Sequence, residues 1–344
     1  MTNGAKQVIA LDAMGGDRMP QAAVAGAALA AAQGVAVVLV GQRAALEPEL
    51  ARQGVRLPVV EAASVIGMDE HAMDVRRRKD SSVMVAMELL KRGEAAACVS
   101  MGHSGATMAA ALLVLGRLPG VERPAILANI PVQTGFVALI DAGANAECRP
   151  AHLQQFAVMG SAYTRAFYDK PEPSVGLVSI GEEPGKGNEL TREAHVLLAT
   201  TPGIRFYGNV EGRDLFAATT DVMVCDGFTG NVMLKLAEGE ARALFGWIRD
   251  GVVSGGPLVK LGAQLVKPVL KGIARRLDPA EVGAQPLLGV RGYAFIGHGS
   301  SEARAVASAL LGAQRALEAD LLGKIAAGLE GLATGPAAAR SAPR

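Results

Sequence analysis

Val175-Gly176-Leu177-Val178-Ser179-Ile180-Gly181-Glu182-Glu183-Pro184-Gly185-Lys186-Gly187-Asn188 passes from an apolar run into a glycine-rich turn, and 189–199 continues with helical character. A strand that feeds a helix through a polar corner is half of a parallel βαβ unit. The alternation recurs along the chain. Val/Ile/Leu-rich runs at 8–11, 35–40, 59–61, 97–99, 125–130, 137–140, 175–180, 204–207, 222–224 and 293–296 predict strands. Ala-rich segments at 21–32, 81–91, 107–115, 152–167, 189–199 and 232–249 predict helices. The pattern implies an α/β fold of three αβα layers around a mainly parallel sheet. One domain is expected over 6–330, with a helical protrusion near 250–278. Residues 331–344, small, polar and proline-bearing, read as a disordered tail.

Half of the 344 residues are hydrophobic, ample for a large core. A net charge of +1 with 4% aromatics gives nucleic acid neither a basic surface nor stacking platforms, so no nucleic-acid partner is expected. Cys98, Cys148 and Cys225 are far apart and odd in number, which suits structural thiols in a reducing cytoplasm. The polar start at 1–6 leads into a short strand, and no apolar stretch reaches the roughly 20 residues of a membrane span, so a soluble or peripheral protein is expected.

Ligands of open α/β sheets bind beyond the carboxyl ends of strands. Six such loops are rich in glycine and polar residues: 12–17, 100–105, 141–145, 181–188, 226–231 and 297–301. Ser104 and Ser300-Ser301 precede helices, where hydroxyls cap the first turn and free N–H groups face an anion. In 181–188, only three residues separate Gly181 from Gly185-Lys186, and Gly187 stands where a P-loop needs Ser or Thr. ATP chemistry loses its support there. Neither Gly15-Gly16-Asp17 nor Gly297-His298-Gly299 fits GxGxxG, no Gly-x-Ser-x-Gly elbow occurs, and the five histidines form no metal motif. No metal and no cofactor are expected. Orthophosphate as a reactant fits better, because it is anionic and nucleophilic at neutral pH and a thioester would supply an electrophile with a good leaving group. Such a site needs positioning and charge stabilisation from Lys, Asn and backbone N–H groups.

The ordered set of motifs resembles the phosphate acyltransferase (PlsX) family of bacterial phospholipid synthesis. It comprises Leu11–Asp17, Arg78–Ser82, Pro119–Ala125, Asp141–Asn145, Ile180–Glu189, Asn209–Asp214, Cys225–Asn231, Ala284–Gly289 and His298–Ser301. Where that family usually has Gly-Asn-Thr-Gly-Ala, this chain has Gly102-His103-Ser104-Gly105-Ala106. The resemblance implies a fold similar to the phosphate acetyltransferase and isocitrate dehydrogenase type. It also implies reversible transfer of a fatty acyl chain from acyl carrier protein to orthophosphate, in a homodimer attached peripherally to the cytoplasmic membrane. A membrane glycerol-3-phosphate acyltransferase would use the product. Lys186, Asn188 and Asn231 are carried over as phosphate and oxyanion groups, with Asp12, Gly15, Gly16, Ser104, Gly185, Gly187, His298 and Ser300 as substrate-binding residues. Asp12 and Asp17 are expected to orient loops rather than abstract protons.

After Trp247 the character changes. Residues 251–257 read as a flexible turn, followed by Leu258, Leu261, Leu265, Val269 and Ile273 at helical spacing beside Lys260, Lys267, Lys271, Arg275 and Arg276. A core helix with snorkelling lysines and a dimer-forming hairpin are the plain readings. The sharper one is an amphipathic tip that meets anionic lipid through Leu258, Leu261 and Leu265, or attracts the acidic carrier. An isocitrate-type dehydrogenase and a non-catalytic membrane scaffold are the competing functions, and the first lacks its dinucleotide fingerprint.

Overall fold

In the computed structural model, which describes residues 7–334, the strands are laid down in two blocks. The first block holds β1 (Val8–Asp12), α1 (Gln21–Ala31), β2 (Ala36–Gly41), α2 (Arg43–Gln53), β3 (Val59–Glu61), α3 (Ser82–Lys91), β4 (Ala97–Ser100) and α4 (Ser104–Val114). A hairpin of β5 (Ala125–Val132) and β6 (Gly135–Ile140) leads into α5 (Pro150–Tyr168), β7 (Ser174–Val178), α6 (Glu189–Ala199), β8 (Arg205–Val210), α7 (Asp214–Ala217) and β9 (Val222–Val224). Two long helices follow, α8 (Gly227–Ser254) and α9 (Pro257–Arg276). The chain then returns through β10 (Ala284–Leu288), β11 (Tyr293–Gly297), α10 (Ala303–Glu318) and α11 (Leu321–Thr334).

All eleven strands join one sheet in the order β3-β2-β1-β4-β11-β10-β5-β6-β9-β7-β8. Pairing is parallel within β3-β2-β1-β4-β11 and within β6-β9-β7-β8. Between them, β10 runs against both β11 and β5, and β5 runs against β6. The two parallel blocks therefore point in opposite senses. Side chains alternate between two cores, as the period of two demands: Ile9 and Leu11 of β1 enter one, Ala10 the other. Helices α1, α2, α5, α6, α10 and α11 cover the first face, while α3, α4, α7 and the start of α8 cover the second. Small residues let helices close in. At Gly26 of α1, a Cβ would fall 2.4 Å from Val306 Cβ of α10.

Several expectations change. Residues 284–288 form the strand β10, whose Gln285 and Pro286 disguise it in the sequence. Pro286 sits where the ladder passes from β11, paired with 284–286, to β5, paired with 287–288. β7 stops at Val178, and Ile180 is left 82% exposed. The helix expected from 232 starts at Gly227, because Asp226 caps it by accepting a hydrogen bond from Thr229 N at 2.8 Å. It also runs to Ser254, so 251–254 are helical and the turn shrinks to Gly255-Gly256. Charged, Pro48-bearing α2 has no counterpart among the predicted helices; it ends at Gly54, in the left-handed region at φ 68°. Likewise α11 reaches Thr334, past the tail boundary expected at 331, and 335–344 lie outside the described residues.

Candidate active site

Lys186 and Asn188 follow β7, and Asn231 lies in the first turns of α8 after β9. Since β7 and β9 pair in parallel, these loops emerge side by side at one end of the sheet. Buried Asn209 at the end of β8 holds the first loop: its Nδ2 donates to the Glu183 carbonyl at 2.8 Å, while its Oδ1 pairs with His195 Nδ1 at 2.9 Å. Lys186 N donates to the same carbonyl at 3.0 Å, closing the turn beneath the exposed side chain. Among the described residues the Lys186 ammonium has no ion pair, whereas neighbouring Glu182 is engaged by Arg213. Gly187 has φ 101°, and a Cβ there would fall 2.0 Å from Thr191 Oγ1, so glycine is required. Nothing approaches Gly185, which owes its place to no such crowding. Asn188 caps α6, its Oδ1 accepting from Thr191 N at 2.9 Å, and this leaves its Nδ2 as the donor toward solvent.

Asp141 is the organiser beneath. Fully buried, it accepts hydrogen bonds from the backbone N–H of Ile126, Gly143, Ala144 and Asn145 and from Asn145 Nδ2, all within 2.7–3.1 Å. Burial pushes its carboxyl up, and these donors pull against that. Asn145 O accepts from Gly227 N at 2.7 Å, and a Cβ on Gly230 would lie 1.9 Å from the Asp141 carbonyl oxygen. The start of α8 is thus clamped to the β6 corner, with Asn231 beside Gly143.

Asp12, Gly15, Gly16, Ser104, His298 and Ser300 assemble separately, after the adjacent parallel strands β1, β4 and β11. Asp12 is 2% exposed and lies beneath the loop: Ser100 Oγ donates to its Oδ2 at 2.7 Å, and Gly15 N to its Oδ1 at 3.2 Å. Its carboxylate positions the loop, as expected of Asp12. A Cβ on Gly15 would fall 2.8 Å from Gly102 Cα, and Gly16, at φ 113°, packs on Gly299 O, while Asp17 N donates to that carbonyl at 2.8 Å. The three corners form one surface.

Two capping expectations are corrected. His103, not Ser104, caps α4: its Nδ1 accepts from Ala106 N at 3.1 Å, doing with a ring nitrogen what an Asn carbonyl does, and Ser104 is left exposed as the first helical residue. Glu302 holds the cap position of α10, while Ser300 Oγ instead pairs with His298 Nδ1 at 2.8 Å.

The six loops therefore make two groups that follow strands of opposite sense, and among the described residues no hydrogen bond or ion pair joins one group to the other. Thiol chemistry is disfavoured at either. Burial pushes the Cys148 thiol up to about 12 and holds those of Cys98 and Cys225 far above their ordinary value. Among the described residues no cluster of three His, Cys, Asp or Glu side chains is placed to hold a metal.

A further polar cleft escaped the sequence reading. Arg117, Glu122, Arg123, Arg149 and His152, with Leu112 and Pro124, line about 500 Å³ beside the β6 corner. Only the Pro119–Ala125 motif hinted at it, since Arg149 and His152 are distant in the chain.

With this geometry in view, the comparisons are decisive on family. A family model described as fatty acid synthesis protein matches residues 7–324. A phosphate acyltransferase of Thermus thermophilus is 60% identical over 317 residues, covering 92% of this chain and 97% of that one. One from Deinococcus radiodurans is 54% identical over 285 residues, covering 81% and 79%. The solved structure of a phosphotransacetylase from Streptococcus pyogenes has a TM-score of 0.59 at 17% identity, covering 92% of this chain and 95% of that one, a likeness of fold alone. By sequence over nearly its whole length, this chain belongs to the fatty acid synthesis protein family, the same family as the curated phosphate acyltransferases.

Proposed function

We infer that this member of the family is a phosphate acyltransferase that moves a fatty acyl chain from the thioester of acyl carrier protein to orthophosphate. A phosphate oxygen attacks the thioester carbonyl and forms the new C–O bond; the C–S bond breaks, and the carrier leaves as a thiolate that takes up a proton. Acyl phosphate and free carrier protein result. The observation that carries the site assignment is Lys186, an unpaired ammonium on a loop pinned by Asn209, next to the loop that presents Asn231. Lys186 balances the charge of phosphate and of the developing oxyanion, while Asn188 Nδ2 and Asn231 supply neutral donors. Asp12, Gly15, Gly16, Ser104, His298 and Ser300 form a second polar surface for substrate, with Asp12 acting through the loop it holds. Incubation of acyl carrier protein thioester with and without orthophosphate tests the activity. Thiol release that depends on phosphate, with acyl phosphate recovered, is expected; phosphate-independent release or none would reject it.

We also propose that α9 rests on an anionic membrane surface. None of its residues is buried, and Leu258, Leu261 and Leu265 are 84%, 60% and 78% exposed beside Lys260, Lys267 and Lys271. That exposure removes the reading as a core helix and favours an interfacial one. No helix among the described residues is long and apolar enough to cross a membrane. A homodimer is part of this reading, and the apolar face of the same hairpin is its competing use. Cytoplasmic location and hand-over to a membrane glycerol-3-phosphate acyltransferase complete the proposal.

A further inference from the structure

The cleft beside the β6 corner carries charge that the fold does not consume. Arg149 pairs with Glu122, and Arg117 Nη1 donates to the Glu122 carbonyl, so both guanidiniums are held in place by one residue. His152 is 4% exposed; its Nδ1 accepts from Arg149 N at 3.1 Å, and its Nε2 faces Glu122 Oε2 at 3.1 Å and the Arg149 guanidinium at 3.3 and 3.4 Å. Burial lowers the His152 pKa and keeps that ring neutral. Arg123 is different. It is exposed on the cleft and, among the described residues, has no hydrogen bond or ion pair. Three guanidiniums against one carboxylate leave the lining at +2 (3 − 1) with His152 neutral.

The surroundings add to this. Asn145 Nδ2 donates to Pro124 O at 2.7 Å while Asn145 O accepts from Gly227 N at 2.7 Å, so a single side chain and its carbonyl tie the cleft to the first residue of α8. At about 500 Å³ the cleft has the size of a small-molecule site. Arginine suits phosphoryl oxygens because its planar fork donates two parallel hydrogen bonds.

We propose that the Arg117–Arg123–Arg149 cleft is a phosphoryl-binding site in which Arg123 grips the anion and Glu122 fixes the other two guanidiniums around it. The phosphoryl group has two possible sources, free orthophosphate or the phosphodiester of a carrier protein's prosthetic arm, and only this choice rests on the acyltransferase reading.

Binding is tested on the full chain by titrating inorganic phosphate at constant ionic strength while following the His152 ring by NMR. A saturable His152 shift is expected, with affinity falling roughly tenfold, about 1.4 kcal/mol, in Arg123→Met and less in Arg123→Lys. No saturable shift, or equal affinity in Arg123→Met, would overturn the site. Steady-state kinetics then separate the sources. A raised KM for phosphate in Arg123→Met identifies orthophosphate, and a raised KM for the carrier thioester identifies the phosphodiester. If neither KM moves, the anion is adventitious and the proposal fails. A wild-type chain that binds phosphate here but shows no phosphate-dependent thiol release would sink the acyltransferase reading and leave this site standing.

Discussion

Asn209 Nδ2 donates to the Glu183 carbonyl at 2.8 Å, and through that bond the end of β8 sets the position of the Lys186 loop. Asn209 is 3% exposed, and both ends of its amide are held within the fold, by the Glu183 carbonyl and by His195 Nδ1, so it acts by positioning the loop. Asn209→Ala should lower kcat about tenfold or more through misplacement of the loop. Asn209→Asp should not rescue it, because a carboxylate cannot donate to a carbonyl. Wild-type kcat in Asn209→Ala would detach the loop from catalysis.

Lys186 is exposed and makes no ion pair, so its removal should leave folding alone. Loss of one charge-stabilising group at the oxyanion costs on the order of 10²–10³ in kcat. Lys186→Ala is expected to fall in that range with an unchanged melting temperature, and near-normal acyl phosphate formation would refute the assignment.

Gly230 has no room for a side chain, since a Cβ would lie 1.9 Å from the Asp141 carbonyl oxygen. That atom is backbone and cannot swing away. Gly230→Ala should destabilise the protein by about 3 kcal/mol or more, at the upper end of overpacking costs, as the start of α8 is forced off the β6 corner. Denaturant titration measures it, and a change below about 0.5 kcal/mol, typical of a surface site, would show the contact to be loose.

His152 makes stability depend on pH with a definite sign. Its folded pKa is lowered from 6.5, chiefly by burial, so the unfolded chain takes up a proton first as pH falls. The stability this residue contributes is whole above about 6.5 and drains away as pH drops toward the lower folded value. His152→Asn should flatten the stability profile across that window. An unaltered slope would mean that His152 titrates normally.

Glutamates at Leu258 and Leu261 would place carboxylates on the exposed apolar face of α9. Co-sedimentation with anionic vesicles should be lost in the double variant while activity on soluble carrier thioester persists. Vesicle binding at the wild-type level would reject the membrane role.

Much of this molecule is local in origin. The unbroken apolar runs in Val8–Asp12 and Ser174–Val178 specify strands covered on both faces, and φ 101° at Gly187 or φ 113° at Gly16 admits glycine almost alone, so the α/β layers and the loop corners were legible from residue order. Strand direction was not. It turns on β10, whose Pro286 and Gln285 hide a strand that pairs antiparallel with both neighbours, and on the β5–β6 hairpin. Those pairings connect residues far apart in the chain, which no local period encodes. Only the tertiary structure could divide the six loops into two groups and gather Arg117, Arg123 and Arg149 around Glu122, because each depends on which segments fold back against one another.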